Sequence, residues 1–289
     1  MEKLNLTTCI EEVKFFKKLV ENPEVKNPKK SIFLRKKAFT SIILLLIFLP
    51  ELLIYYGKIE DALFLYAGIL AVLSLISIFL KDQEICNVCQ ALLLLPILRF
   101  INFSIPVFSE VILLSFVFIY ASMIIPITIL AINQKFTYNQ LGLKSKKIIC
   151  YFLLSIFIGL ILGQIEYSII PATQLIPDLS IINILKLTIV MILFVGVIEE
   201  IIFRSILQTR LEEIYGSWSG LIFASLIFGL MNSGCGNLYK IFYAFFVGLL
   251  IGYLFQKTRS LPLIAMTHGF INIFAFGIIP HIKSEFVLF

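Results

Sequence analysis

The sequence predicts an all-α membrane protein, a polytopic bundle of about eight or nine transmembrane helices. Hydrophobic residues make up 60% of the 289 residues, charged residues make up only 15%, and the mean hydropathy is +1.00. Soluble domains are about 45–50% apolar and about 25% charged, so this chain has too little polar surface for a water-soluble globule. The composition excludes an ordinary soluble enzyme and a disordered chain. Five scattered cysteines also argue against a disulfide-stapled secreted module.

Nine stretches are long and apolar enough to cross a bilayer, which requires about 20 mainly apolar residues. They cover residues 38–56, 61–80, 86–105, 107–132, 148–170, 181–205, 217–232, 238–255 and 261–279. The third stretch contains Arg99 and Asn102, which makes the predicted number of spans eight or nine.

The chain divides into three parts. Residues 1–37 carry ten Lys and Arg residues and no apolar core long enough for a signal peptide. Within them, Thr8 and Glu11 fit a capping box, which predicts a short amphipathic helix at the inner membrane face. Residues 38–132 are predicted to form the N-terminal transmembrane helices, and residues 140–279 the transmembrane core.

The two membrane parts differ in packing and polar content. Spans one to four hold few ionisable groups, among them Glu51 and Glu110. The core contains two G-x-x-x-G pairs, Gly159 with Gly163 and Gly248 with Gly252. Such pairs let helices approach closely in lipid, so a compact core is expected.

Charge bias predicts a cytoplasmic N-terminus, and the chain is expected in the cell membrane. With that orientation, the inner loops hold eight Lys or Arg residues and the outer loops hold four, in addition to the ten in residues 1–37. The inner set includes Arg210 and Lys257, and the outer set includes Arg99 and Lys240. The net charge of +6 is therefore assigned to a membrane flank, and no nucleic-acid partner is expected.

Two carboxylates and a guanidinium lie inside the sixth predicted span, at Glu199, Glu200 and Arg204. Each charge costs about 2.5–3.5 kcal/mol at the bilayer centre, so intramembrane acids are functional by default. Glu200 and Arg204 share a helix face and are predicted to pair. Glu199 is turned about 100° away, beside Gly196, and stays available. The simpler interpretation, that these side chains extend to the interface, suits Arg204 better than the shorter Glu199.

The ninth stretch contains a polar pair, His268 and Asn272, four residues apart on one helix face. Both side chains donate hydrogen bonds, so the pair is suited to hold negative charge on a carbonyl oxygen. Alone, such a pair is equally typical of a helix-to-helix hydrogen bond. Together with the sixth span it predicts one cavity, lined by Glu199, Glu200, Arg204, His268 and Asn272.

Three motifs resemble those of the CPBP family of intramembrane endopeptidases (CAAX protease and bacteriocin-processing, or Abi, family), which includes the type II CAAX prenyl protease. The first and third motifs, E-E-x-x-x-R and H-x-x-x-N, are matched by Glu199, Glu200, Arg204, His268 and Asn272. The second, F-x-x-x-H, is matched by Phe228, but Asn232 stands where the family has histidine. The resemblance covers about residues 140–279.

The resemblance implies peptide-bond hydrolysis inside the membrane, next to a prenylated cysteine. Carried over, Glu199 is the base that activates a water, and His268 with Asn272 stabilises the oxyanion. Glu200 and Arg204 support these groups.

Asn232 departs from the family pattern. An amide cannot accept a proton, and the chain has only one other histidine, His281, beyond the last predicted span. Loss of one such group costs about 10²–10⁴-fold in rate. Slow activity, a changed reaction and inactivity are therefore all open.

No metal or other cofactor is expected. Catalytic zinc takes three protein ligands, and His268 with two acids does not supply them when Glu200 is paired with Arg204. Cys86-x-x-Cys89 is a single pair without a second half, and is interpreted as ordinary buried cysteine.

The favoured function is an intramembrane endopeptidase acting on a prenylated or hydrophobic C-terminus presented from the cytoplasmic side. The predicted bounds put Glu199 and His268 a turn or two inside the cytoplasmic ends of their spans, whereas Asn232 ends an outward-running span. A catalytically impaired member, acting as a membrane scaffold or immunity factor, is the alternative that Asn232 favours. A small transporter with Glu199 as a proton relay is disfavoured because the sequence shows no internal repeat.

Overall fold

The structure is a bundle of helices. The computed structural model describes residues 28–104, 112–143, 147–171 and 174–286, and within these ranges nine helices are long and apolar enough to cross a membrane. In chain order they are α1 Pro28–Tyr55, α2 Ile59–Phe79, α3 Gln83–Ser104, α4 Ile112–Asn133, α5 Ile148–Ile169, α6 Ile181–Tyr215, α7 Ser217–Leu230, α8 Leu238–Thr258 and α9 Leu261–Ile282. The predicted all-α polytopic bundle is confirmed.

Two sequence predictions fall outside the described residues. They are the amphipathic helix expected around Thr8 and the acid Glu110. The first helix begins at Pro28, so the last part of the basic segment 1–37 continues directly into the first span.

The third predicted span, which Arg99 and Asn102 interrupt, is a complete helix, α3. It and α9 are the two most buried spans. Its Arg99 is accommodated by a bidentate ion pair with Glu51 of α1. Arg99 Nε donates to one carboxylate oxygen at 2.7 Å and Nη2 donates to the other at 2.6 Å. Tyr66 of α2 donates to the same fully buried carboxylate. Because a buried charge needs partners, these contacts tie the first three helices together.

Four cations that the charge count assigns to loops lie within the nine spans given above, namely Arg99, Arg210, Lys240 and Lys257. Lys240 of α8, for example, forms a buried ion pair with Glu166 of α5. Ion pairing makes the positions of Arg99, Arg210 and Lys240 tolerable in a span, which a count of loop charges does not consider. Without the four cations, the inner loops hold six Lys or Arg residues instead of eight, and the outer loops hold two instead of four.

Contacts between helix ends define two faces of the bundle. On the N-terminal face, where α1 begins, the Tyr215 hydroxyl at the end of α6 donates to the Lys37 carbonyl at 2.9 Å. On the opposite face, Arg99 at the end of α3 donates to the Met231 carbonyl after α7 at 2.7 Å. The N-terminal face and the opposite face are thus the two ends of the bundle.

The helix that carries the two acids is longer than predicted. It runs over Ile181–Tyr215, ten residues past the expected end at residue 205. Ile206, Leu207 and Leu211 continue the helical spacing and are each 0% exposed, so packing keeps this segment helical.

The extension changes the depth of Glu199. About sixteen residues at 1.5 Å each place it roughly 24 Å from the C-terminal end of α6. The expected position near the end of a span is therefore wrong. Two π-helical stretches, Val190–Gly196 and Ile201–Gln208, flank the α-helical turn Val197–Glu200. Such stretches are rare and occur frequently at functional sites.

Both predicted G-x-x-x-G pairs are helix contacts. A Cβ atom at Gly159 of α5 would lie 2.4 Å from Cβ of Phe270 on α9, and one at Gly248 of α8 would lie 3.2 Å from Cα of Ser225 on α7. The absence of side chains lets these helix pairs pack backbone to backbone.

We expect Gly159→Ala to destabilise the bundle, because its methyl group would also lie 2.9 Å from the backbone carbon of Phe270. Overpacking of this kind costs about 1–3 kcal/mol, which thermal or denaturant unfolding in detergent would measure. Gly68→Ala on α2 is the matched control, since a Cβ atom there meets nothing within 4 Å. Equal melting temperatures for the two variants would contradict the close contact.

Candidate active site

A buried charge cluster on α6 and α9 forms the base of the site. Glu200 is fully buried, and its Oε1 accepts a hydrogen bond from Arg204 Nη1 at 3.0 Å. The same oxygen lies 2.6 Å from Nδ1 of His268. The predicted Glu200–Arg204 pair is present, and His268 joins it. Because removing one partner of a buried ion pair is strongly destabilising, the three side chains depend on one another.

Phe228 of α7 connects this cluster to the second motif. Its ring centroid lies 4.1 Å from Cζ of Arg204, and the ring packs edge-on against His268 with centroids 5.7 Å apart. A cation over an aromatic face is attracted by the negative charge of that face. Phe228 therefore fixes Arg204 and His268 from a third helix.

Glu199 turns away from Glu200 and faces α4. The Tyr120 hydroxyl donates to Glu199 Oε1, and Glu199 Oε2 lies 3.7 Å from Nε2 of His268. The side chain of Glu199 is 17% exposed, whereas that of Glu200 is 0% exposed. One acid is thus held in the ion pair and the other is accessible, which is the arrangement that the helical spacing predicts.

Two glycines let α6 and α9 lie this close. A Cβ atom at Gly196 would lie 2.5 Å from the carbonyl oxygen of Ala265, and one at Gly269 would lie 2.5 Å from Cγ1 of Ile192. The close approach predicted beside Gly196 is confirmed. It brings the ring of His268 within reach of both carboxylates.

Glu199 and His268 face a cavity of about 260 Å³. Its other polar and aromatic lining residues include Asn232, Asn272, Arg99, Asn102, Tyr120, Glu166, Lys240 and Tyr243. Glu200 and Arg204 do not line it, so the expectation that all five motif residues do so is wrong for these two. They lie behind the wall, with side chains at most 2% exposed, where Glu200 Oε1 contacts both Arg204 and His268.

Asn232 lies in the turn that ends α7, at the rim of the cavity. Its Nδ2 donates to the carbonyl of Phe228, one turn earlier in the same helix, at 3.0 Å. The predicted spans put Glu199 near a cytoplasmic end and Asn232 at the end of an outward-running span, so they do not explain how both could line one cavity. Both reach one cavity because Glu199 lies at mid-bundle, and the cavity extends from there to the end of α7.

The turn that carries Asn232 is held by the N-terminal helices. Arg99 Nη2 donates to the Met231 carbonyl at 2.7 Å, and the Ser233 hydroxyl donates to Glu51 at 2.5 Å. The Glu51–Arg99 pair therefore fixes the residues on both sides of Asn232.

Sequence reasoning missed three features of this site. Tyr120 gave no usable signal, because a tyrosine in an apolar span is usually a core residue. Arg99 and Lys240 did give a signal, as charges within apolar stretches, but the loop assignment hid it. Their partners, Glu51 and Glu166, lie on other helices and only the tertiary structure reveals them.

The donor set does not fit a catalytic zinc ion, which takes three protein ligands. His268 Nδ1 and Glu200 bind each other, which leaves His268 Nε2 and Glu199 facing the cavity together. Across the described ranges, no group of three or more His, Cys, Asp or Glu side chains is arranged to hold a metal ion. Cys86 and Cys89 are buried, free thiols of α3.

We expect Arg204→Met to lower the free energy of unfolding by about 3–5 kcal/mol, since it removes a partner from the buried charge of Glu200. Adding Glu200→Gln should recover part of that loss, because the orphaned charge is then gone. A double-mutant cycle of unfolding in detergent measures this coupling. Strictly additive effects of the two substitutions would contradict it.

One comparison with known proteins covers the part of the chain that holds this site. Residues 181–274 match the family model described as type II CAAX prenyl endopeptidase Rce1-like. No curated protein and no solved structure matches the chain. The matched region holds every residue of the three motifs, while α1 to α5 lie before it. Nine apolar helices in the described part of the chain, together with this match to a membrane-protease model, make the chain an integral multi-pass membrane protein. Over residues 181–274, the chain is therefore similar to the type II CAAX prenyl endopeptidase Rce1-like family, which supports the resemblance seen in the three motifs.

Proposed function

We propose that the protein is an intramembrane endopeptidase of the CAAX type, in which Glu199 activates the attacking water. One observation carries the proposal: Glu199 Oε2 and His268 Nε2 lie 3.7 Å apart on the wall of one cavity inside a membrane bundle. Ionisable groups at this depth are costly, which supports a functional use for them. The family match supports this class of reaction.

Glu199 is the proposed general base. Tyr120 holds one of its oxygens, and the other faces the cavity. A water bound to that second oxygen gives its proton to Glu199 while the water oxygen attacks the peptide carbonyl carbon. The proton then passes to the departing amine as the C–N bond breaks. Water and peptide thereby become a new carboxyl end and a new amino end.

His268 and Asn272 are the proposed donors to the oxyanion. Glu200 binds His268 at Nδ1, so Nε2 is directed to the cavity. A protonated imidazole donates from both nitrogens. Asn272 follows one turn later on α9 and lines the same cavity. Loss of one such donor reduces the rate by about 10²–10³-fold in comparable sites.

The proposed substrate is a peptide end carried by a lipid or by a hydrophobic segment. An apolar groove of about 640 Å³ between α5 and α8 adjoins the polar cavity and shares Tyr243 and Val247 with it. Its other walls are mainly aliphatic and aromatic, including Leu162, Ile165 and Phe246. A hydrophobic chain in this groove would hold the attached peptide beside Glu199. The proposed reaction uses no metal, in keeping with the donor set.

A catalytically impaired member is the second candidate, and Asn232 favours it. The Asn232 amide cannot accept a proton, and its Nδ2 already donates to the Phe228 carbonyl at 3.0 Å. A membrane scaffold or immunity factor would bind a peptide or prenyl chain in the same cavity without cutting it.

We expect purified protein in liposomes to release the C-terminal tripeptide from a farnesylated CAAX peptide, detected by mass spectrometry. Glu199→Gln should lower this rate by about 10²-fold or more, because an amide cannot take the proton of the water. Cys150→Ser, at an exposed position of α5, is the matched control and should keep the wild-type rate. A chelator should leave the rate unchanged.

Equal rates for Glu199→Gln and wild type would contradict the proposed base. Binding of the peptide without cleavage would favour the impaired member.

We expect Asn232→His to raise the peptidase rate, because an imidazole at the rim of the cavity can hold the water and share its proton with Glu199. Adding Glu199→Gln should remove this gain, since groups that act as a unit have non-additive effects. Single-turnover kinetics on the same peptide measure both. An unchanged or lower rate in Asn232→His would show that the site has adapted around the amide.

A further inference from the structure

The cavity extends from the middle of the bundle to the opposite face. Glu199 and His268 form its deep end, within α6 and α9. Its rim is formed by Asn102 near the end of α3, by exposed Cys235 in the turn after α7, and by Lys240 in the first turn of α8. All three rim positions belong to helix ends that lie on the opposite face. In the part of the chain that the structure describes, the loops of the N-terminal face contribute no lining residue.

On the N-terminal face, residues 134–143 of the connection between α4 and α5 pack against the bundle. The Leu261 N–H at the start of α9 donates to the Gly142 carbonyl at 2.8 Å, and the Ser205 hydroxyl of α6 donates to the Leu141 carbonyl at 2.9 Å. Gly142 has φ +76°, and a Cβ atom there would lie 2.7 Å from Cε2 of Phe255 on α8. The described part of this loop therefore packs onto α6, α8 and α9, three of the helices that carry or flank the site, and covers them on that face.

The charge distribution assigns the N-terminal face to the cytoplasm. With the helix bounds of the structure, its loops carry six Lys or Arg residues, and residues 1–37 carry ten. The loops and chain end of the opposite face carry two. Cytoplasmic segments are enriched in Lys and Arg, so this asymmetry favours a cytoplasmic N-terminal face.

We propose that the cavity opens to the extracytoplasmic side of the membrane. Its substrate would then be a lipid-anchored or hydrophobic segment of a protein that lies outside the cytoplasm. Two expectations from the sequence, a cytoplasmic N-terminus and a substrate presented from the cytoplasm, cannot both hold, because the cavity and the N-terminus lie at opposite ends of the bundle. That the ligand is a peptide rests on the proposed function, whereas the direction of opening does not.

Cysteine labelling in intact cells tests the direction of opening without any activity assay. The parent variant carries Cys9→Ser, Cys150→Ser and Cys235→Ser, and keeps the buried Cys86 and Cys89. Three reporters are compared with it: native Cys235 restored at the rim, Lys58→Cys on the opposite face, and Tyr138→Cys on the N-terminal face. Lys58 and Tyr138 are both exposed and lie in connections between helices. The probe is a charged maleimide that does not cross membranes.

The proposal predicts that Lys58→Cys and Cys235 are labelled in intact cells, and that labelling of Tyr138→Cys is lost unless the cells are permeabilised. The reverse pattern would place the cavity on the cytoplasmic side and overturn the proposal. Labelling of Lys58→Cys without Cys235 would also overturn it, because the rim would then be closed on that side. None of these outcomes depends on peptide cleavage, so a failed peptidase assay leaves this test intact.

Discussion

The carboxylate of Glu200 is the group on which the rest of the site depends. One of its oxygens serves both Arg204 and His268, at 3.0 Å and 2.6 Å, in a fully buried position. A charge taken out of water is stable only with close and well-oriented partners. Phe228 must therefore cover Arg204, and Gly269 must lack a side chain so that α9 can bring His268 to α6. The three motifs, distant in sequence, meet because of this one requirement.

The two adjacent acids consequently have different surroundings. Glu200 is buried in the ion pair, whereas its neighbour Glu199 faces the cavity and accepts a hydrogen bond from the Tyr120 hydroxyl. If His268 carries a proton, the charges of Glu199, Glu200, Arg204 and His268 sum to zero. A balanced group of charges is easier to hold within a membrane than any one of them alone.

Much of the fold was predictable, because apolar length is a direct consequence of the thickness of a bilayer. The number of spans and the Glu200–Arg204 pair follow from one-dimensional patterns. The end of α6 does not, since its last turns contain charges that only contacts with other helices make acceptable. Arg99 and Lys240 were misplaced for the same reason: a count of loop charges treats cations as solvent-exposed, and these two are buried against Glu51 and Glu166.

The candidate site was predictable in its residue types more than in its geometry. Helical spacing places Glu199 and Glu200 on different faces of α6, and this was sufficient to predict that one of the two acids is accessible. It could not show that Glu200 lies behind the cavity wall, because that depends on which face of α6 meets α9. Tyr120 was beyond sequence reasoning, since nothing distinguishes it from other aromatic residues of an apolar helix until its hydroxyl is seen beside Glu199.

The Glu51–Arg99 pair has a consequence for where the functional unit begins. The region that matches the family starts at residue 181, yet the turn around Asn232 is bound by side chains of α1 and α3, and Glu199 is bound by one of α4. A chimera that joined residues 181–274 to unrelated helices would carry all three motifs and lack these contacts. The smallest part of the chain that retains all contacts of this site therefore includes helices that contain no family motif.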